Sequence, residues 1–213
     1  MSNKESFSYQ IAYFSRYYRV TAIDFLGFGN SGALTKAFSV EDYAVWTKAV
    51  LDTLGVTHPH VVAHSFGCRV AVKMAKTYPQ FFDKMVLTGP AGVILPRGLG
   101  YKCKVGAYRF CKKFAPKFAE KHFGSKEYRQ LSALMKESYK KIVNEDLRPD
   151  ASCVNNSVLI IEGTMDKTTP MAEAKAYLSA FPNARLVALQ GGHFAFLDAP
   201  FVFNLLTEEF LYE

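Results

Sequence analysis

The sequence predicts an α/β protein in which a mainly parallel β-sheet carries helices on both faces. Short apolar runs rich in β-branched residues alternate with amphipathic stretches along most of the chain. The 213 residues are 49% hydrophobic and 21% charged, which is enough apolar material for a substantial core. Strands joined through helices pair in parallel and have both faces covered. We therefore expect one domain with room for an inserted subdomain.

The predicted elements begin with a helix opened by the capping box of Ser2 and Glu5 and ending near Tyr17. Residues 19–24 (RVTAID) form a β-branched strand, and a glycine-rich loop follows it. The later elements are a helix capped by Ser39 and ended by Gly55, strand 60–65, helix 66–78, strand 84–89, strand 157–163, a helix from Pro170, strand 184–190 and a helix at 200–212.

The net charge of +7 is concentrated in one middle segment. Residues 97–148 hold 14 Lys or Arg and 5 Asp or Glu, a balance of +9, and the rest of the chain carries −2. We expect a short helical basic cap at residues 96–149, inserted between core residues 1–95 and core residues 150–213. An apolar stripe at helical spacing supports the helix: Cys103, Ala107, Phe110, Cys111, Phe114 and Phe118.

Two interpretations of the cap stay open. The stripe covers an active site while the lysines are solvated, or the lysines attract anionic substrates or an anionic membrane surface. Nucleic acid is not expected as a partner, because no reading module accompanies the charge. The oligomeric state is left undetermined.

The four cysteines, Cys68, Cys103, Cys111 and Cys153, show no close metal-type pairing. A chain of this size needs no disulfides, so we expect reduced and mostly buried thiols. The first ten residues lack the order of a signal peptide, and no uncharged apolar run reaches membrane-spanning length. These features favour a cytoplasmic location.

The stretch HVVAHSFGCR at residues 60–69 places Ser65 where a predicted strand meets a predicted helix. Ala63 and Gly67 flank it in the small-x-Ser-x-small pattern, which lets strand and helix approach closely and projects the hydroxyl above the sheet. The sequence therefore predicts a nucleophilic serine. The alternative is that Ser65 only caps the following helix.

Two later residues could activate such a serine. Asp166 follows the strand that ends near Gly163, and His193 follows the next strand in a loop with two glycines. Serine is a weak nucleophile unless a histidine accepts its proton, and that histidine needs a carboxylate to orient it. All three candidates follow parallel strands at their carboxyl ends, where the sites of open α/β sheets gather.

The other histidines, His58, His60, His64 and His122, are interpreted as structural, since none has a metal-ligand partner at suitable spacing. Asp24, which ends a predicted strand, and Asp198, just before the last helix, are also interpreted as structural.

The chain resembles the α/β-hydrolase fold family nearly from end to end. The resemblance is carried by AIDFLGFGNSG, VVAHSFGCRVAVKMA, EGTMDKTTP and GGHFAFLDAP. It implies Ser65 as nucleophile, Asp166 as acid, His193 as base and the Phe66 backbone N–H as one oxyanion donor, with no cofactor. Relatives that cleave carbon–halogen bonds or epoxides carry aspartate at the nucleophile position, so Ser65 disfavours those reactions.

The resemblance implies a serine hydrolase that cleaves a small carboxylic ester through an acyl-enzyme. Hydrolysis of a carbon–carbon bond, a silent fold used for binding, and an impaired fragment stay open as alternatives. In the family a strand ending in a His-Gly motif lies between the strands resembling residues 19–24 and 60–65, and it leads to the second oxyanion donor. We expect strands preceding Met1 to be missing, and an in-frame extension of some tens of residues that ends in such a motif to restore stability and activity.

Overall fold

A four-stranded parallel sheet forms the centre of the molecule. The computed structural model describes residues 3–96 and 126–213. The strands are β1 (Val61–His64), β2 (Lys84–Thr88), β3 (Ser157–Gly163) and β4 (Ala184–Leu189), and they lie side by side in that order. Val62 on β1 pairs with Val86 on β2, and Val86 pairs with Leu159 on β3. Leu159 in turn pairs with Arg185 on β4. The predicted α/β architecture is confirmed.

Helices connect the strands and cover both faces of the sheet. Ser39 caps the second helix through a complete capping box with Asp42, and Pro170 precedes the helix that follows β3. The described helices are α1 (Ser8–Phe14), α2 (Val40–Thr53), α3 (Phe66–Thr77), α4 (Lys126–Gln130), α5 (Ala133–Val143), α6 (Arg148–Ala151), α7 (Met171–Ala180), α8 (Ala195–Asp198) and α9 (Pro200–Tyr212).

The amino-terminal helix differs from its prediction. A 3₁₀ turn at Lys4–Phe7 precedes α1, and the side chain that caps it is Asn3, whose Oδ1 accepts from the Glu5 backbone N–H. Ser2 lies outside the described residues. Asn and Ser cap equally well, so the S-x-x-E pattern located the start of the helix but not the capping residue.

The two faces of the sheet hold separate cores because successive side chains of a strand point to opposite sides. Ile160 on β3 packs with residues of α2, α3 and α7, whereas Ile161 packs with α8 and α9. The side chains of the two inner strands are almost completely buried. Such burial on both faces is expected of inner strands in a parallel sheet.

Residues 19–24 form no strand, contrary to the prediction. Residues 19–22 are exposed, and no described strand lies beside them to complete a ladder of hydrogen bonds. A cavity of about 720 Å³ separates them from β1, whose own edge on that side is unpaired among the described residues. Strand propensity alone forms no strand, because the backbone groups need a partner. We call this cavity the slot.

The described end of the basic segment is fastened to α3. The guanidinium of the buried Arg69 donates to the backbone carbonyl oxygens of Ile142 and Glu145, at 2.9 Å each, where α5 ends. Lys73 forms ion pairs with Glu145 and Asp150. These contacts tie α5 and α6 to the helix that begins beside Ser65.

The remaining features of the predicted cap, its apolar stripe and His122, lie outside the described residues. The boundaries of the cap stay predictions. Cys68 is buried as expected, but Cys153 is exposed, because it lies past α6 near the surface; Cys103 and Cys111 are not among the described residues. None of the helices in the described ranges is long and apolar enough to cross a membrane.

Candidate active site

Ser65 occupies a strained turn between β1 and α3. Its φ of 49° and ψ of −108° lie outside the regions that L-residues ordinarily adopt. A Cβ built on Gly67 would lie 3.7 Å from the Ala63 Cβ, so strand and helix approach closely here. The Ser65 side chain makes no capping hydrogen bond, which argues against a purely capping role. Strain of this kind is typical of functional positions.

The structure brings Ser65, His193 and Asp166 together in one hydrogen-bonded chain. His193 Nε2 lies 3.1 Å from Ser65 Oγ, and His193 Nδ1 lies 2.7 Å from Asp166 Oδ2. The three residues come from three separate loops, each after the carboxyl end of a strand. The geometry fits an imidazole that accepts the serine proton at Nε2 while donating from Nδ1 to a carboxylate.

Asp166 is held in its ionised form despite its burial. Burial alone would raise the pKa of its carboxyl, but the hydrogen bond from His193 and those from Thr168 and Thr169 outweigh that effect, so the pKa falls below its ordinary value. Asp166 Oδ1 accepts from the backbone N–H groups of Thr168 at 2.6 Å and of Thr169 at 3.0 Å. A fixed negative charge therefore faces the His193 ring.

Thr169 is a polar residue at the site that the sequence did not single out. Its Oγ1 lies 2.9 Å from Asp166 Oδ2 and 3.1 Å from His193 Nδ1. The threonine thus contacts both partners of the buried pair. Only its position three residues after a candidate acid could have indicated this.

Space for His193 depends on Gly89, the residue that follows β2. Gly89 has a φ of +50°, and a Cβ added there would lie 3.2 Å from His193 Nδ1 and from the His193 carbonyl oxygen. A side chain at this position would therefore press against the imidazole and its backbone. The glycine was predicted only as the end of a strand.

His64 lies against His193, although the sequence assigned it no role at the site. Its Nε2 is 2.8 Å from the backbone carbonyl oxygen of His193. The two imidazole rings are 4.6 Å apart, centre to centre. A lone histidine before a nucleophile carries no sequence signal that separates it from other residue types.

The remaining candidates have structural contacts. Asp24 accepts backbone hydrogen bonds from Lys4 and Asn30, and these lower the pKa of its carboxyl. Asp198 accepts from the Gly192 N–H at 2.7 Å. His60 lies 3.4 Å from Asp83. Residue His58 has a φ of 46° in the turn before β1.

Phe66 is the first residue of α3, so its backbone N–H belongs to the turn that has no acceptor within the helix. Its ring stacks on Phe28 and contacts Tyr43 and Phe25 edge to face. The backbone is thereby anchored beside Ser65, and Phe66 is among the residues that line the slot. Ser65 and His193 both line that cavity.

In the described ranges, no cluster of three His, Cys, Asp or Glu side chains could hold a metal ion.

Comparisons with known proteins agree with this architecture. A family described as the alpha/beta hydrolase fold matches residues 2–154. A 2-hydroxymuconate semialdehyde hydrolase from Pseudomonas putida is 29% identical, and the match covers 92% of this chain and 77% of that protein.

Solved structures show the same fold at lower identity. An esterase from Exiguobacterium antarcticum superposes with a TM-score of 0.79 at 21% identity, covering 100% of this chain and 88% of the other. An enol-lactonase from Burkholderia xenovorans LB400 superposes with a TM-score of 0.76, also at 21% identity, with coverages of 100% and 88%. The expected resemblance is confirmed: the chain belongs to the alpha/beta hydrolase fold family and is a hydrolase of that fold.

Proposed function

We propose that the protein is a serine hydrolase that cleaves a small carboxylic ester through an acyl-enzyme. The observation that carries the proposal is the chain of contacts from Ser65 Oγ to His193 Nε2, at 3.1 Å, and from His193 Nδ1 to Asp166 Oδ2, at 2.7 Å. Nucleophile, base and orienting acid are therefore already within reach of one another. Substrate identity is decided by contacts beyond this chain of three.

In the proposed mechanism, Ser65 Oγ attacks the carbonyl carbon of the ester while His193 Nε2 takes its proton. The tetrahedral adduct collapses when His193 gives that proton to the departing alcohol, which leaves the acyl group on Ser65. Water then attacks the acyl-enzyme and passes a proton to His193, which returns that proton to Ser65 Oγ as the acid departs. Asp166 stays ionised throughout and stabilises the imidazolium that forms twice.

The Phe66 backbone N–H is the proposed oxyanion donor. It lies at the start of α3, where amide groups point out of the helix and favour negative charge. Removing one such donor costs about 10²–10³ in kcat in well-studied hydrolases. A second donor is expected from the family resemblance.

A second candidate reaction is hydrolysis of a carbon–carbon bond by the same three residues. It is favoured by one observation: the relative that matches 92% of this chain is named a 2-hydroxymuconate semialdehyde hydrolase. In that reaction the leaving group is a carbon acid rather than an alcohol.

A substrate panel separates the two reactions. We would compare kcat/KM for p-nitrophenyl esters of increasing chain length with kcat/KM for 2-hydroxymuconate semialdehyde, using Ser65→Ala as the matched inactive control. Turnover of a short ester that is lost in S65A supports the proposal. Turnover of the semialdehyde alone supports the second candidate, and S65A activity equal to that of the wild type contradicts both.

A further inference from the structure

Two consecutive residues at the end of β1 hold the same histidine. Ser65 contacts the His193 ring through Oγ, 3.1 Å from Nε2. His64 contacts the His193 backbone, with its own Nε2 2.8 Å from the carbonyl oxygen. A carbonyl oxygen can only accept, so His64 carries its proton on Nε2 and donates it. The ring and the backbone of His193 are thus both fixed relative to one strand end.

His64 is buried and uncharged. Its ring packs against Phe194 and Phe196 as well as His193, with centres 4.8, 5.0 and 4.6 Å away. Burial, and then the neighbouring charge of a protonated His193, lower the pKa of His64 to about 4, while the hydrogen bond to His193 and the Asp166 carboxylate act in the opposite direction. The donor therefore stays present, and its ring neutral, at pH values above about 4.

The loop that carries His193 needs such a fastening. Gly191, with a φ of +156°, and Gly192 precede the histidine, and glycines leave the backbone more freedom than any other residue. The Gly192 N–H donates to Asp198 within the same loop and its following helix, and the Gly191 carbonyl oxygen accepts from the Met165 N–H of the loop after β3 at 2.9 Å. The hydrogen bond from His64 joins the loop to the sheet itself.

We propose that His64 is a positioning residue whose Nε2–H holds the backbone of His193 so that the imidazole stays within reach of Ser65. This inference rests on the proposed function, because it concerns the base of that reaction. A displacement of about 1 Å between reacting groups can cost on the order of 10²-fold in rate. The contact therefore acts on the chemical step rather than on substrate binding.

Three variants of His64 test the contact. His64→Gln keeps an amide N–H near the Nε2 position, His64→Asn is too short to reach, and His64→Phe keeps the ring without a donor. We expect H64N and H64F to lower the rate constant of labelling by a fluorophosphonate, and kcat for an ester, by about 10- to 100-fold, with KM unchanged. H64Q should stay within about threefold of the wild type. His60→Asn, which alters a histidine just before the same strand, is the matched control and should leave both rates unchanged.

The inference is overturned if H64N labels as fast as the wild type, or if H64Q is as slow as H64N. These two polar variants decide the matter even if H64F does not fold, and thermal melting of each shows that the folded state is intact. Histidine side-chain NMR on the Ser65→Ala protein gives a readout that needs no activity. His64 should show the Nε2–H tautomer without titrating between pH 5 and 9.

A His64 that titrates in that range, or carries its proton on Nδ1, contradicts the inference alone. A wild-type chain that neither labels nor turns over any ester contradicts the proposed function instead.

Discussion

The candidate active site and the slot meet at the end of β1, where Ser65 and His193 line the cavity, yet the two regions are built in contrasting ways. On the side of β2 and β3, each polar group of the Ser65, His193 and Asp166 chain has a partner at 2.6–3.1 Å. On the other side, the edge of β1 faces a cavity of about 720 Å³ and has no strand beside it in the described ranges. The side chains of the candidate site can thus all be paired while the sheet beside them has an open edge.

The two edges of the sheet sharpen the contrast. β4 carries Arg185, whose guanidinium pairs with Glu213 at 2.8 Å, and charged groups on an edge discourage further pairing. β1 reads Val61-Val62-Ala63-His64 and carries no charged group. The first edge is protected in the manner of a natural sheet boundary, whereas the second has the character of an inner strand.

The largest expected effect comes from substituting the three residues of the candidate site. Ser65→Ala should abolish labelling by a fluorophosphonate, and His193→Ala and Asp166→Asn should slow it by about 10³-fold or more, because each removes a member of one unit. The variant that carries both His193→Ala and Asp166→Asn should be labelled no more slowly than the slower of these two single variants. Labelling of a serine in S65A at the wild-type rate would show that the nucleophile lies elsewhere.

The next effect concerns the open side. Extending the chain in frame by some tens of residues that end in a His-Gly motif should raise the unfolding free energy and the ester rate, since a strand in the slot would pair the free edge of β1. Each buried unpaired backbone group costs about 1–3 kcal/mol, so we expect a gain of several kcal/mol and, for a chain of this size, a melting temperature higher by roughly 10 °C.

The matched control for that experiment is the same extension with prolines at alternate positions of the new strand, because proline cannot donate to a ladder. Equal melting temperatures for the two extended chains would refute the pairing. So would an ester rate of the extended chain that is no higher than that of the 213-residue chain.

A pH-dependent effect of comparable size comes from Glu162 on β3, four residues before Asp166. It is fully buried, and neither carboxyl oxygen has a hydrogen-bond partner in the described residues. Burial, and then the charge of Asp166, raise its pKa to about 8 from 4.5. The unfolded chain therefore releases this proton near pH 4.5 and the folded chain near pH 8, so stability falls as pH rises between these values and levels off above them.

Glu162→Gln should remove that fall, which amounts to about 1.4 kcal/mol for each pKa unit of difference. The measurement is urea unfolding of wild type and E162Q at pH 5, 7 and 9. We expect the stability of E162Q relative to the wild type to grow from pH 5 to pH 9. A constant difference across this range would mean that Glu162 keeps an ordinary pKa.

The smallest expected effect concerns the basic segment, whose balance is +9 over residues 97–148. If its lysines attract anionic substrates or vesicles, kcat/KM for an anionic ester or binding to anionic vesicles should fall as the Debye length shrinks to about 8 Å at 0.15 M salt. Neutral esters should respond little. An equal response for neutral and anionic ligands would indicate that the lysines are merely solvated.

The sequence alone predicted most helices and strands and the three residues of the candidate site. Alternation of β-branched runs and amphipathic stretches predicted β1 to β4 and the helices between them, because strand and helix periods depend on local residue order. Ser65, Asp166 and His193 could be selected because parallel strands bring their carboxyl ends to one edge, so residues after different strands meet.

Tertiary structure decided what depends on contacts between distant segments. Residues 19–24 have the composition of a strand, yet a strand exists only where a neighbour accepts and donates hydrogen bonds. His64 and Thr169 look like ordinary residues until the folded loops place them on His193 and Asp166. Residue type and spacing thus determined which groups could react, whereas the packing of separate loops determined which groups hold them in place.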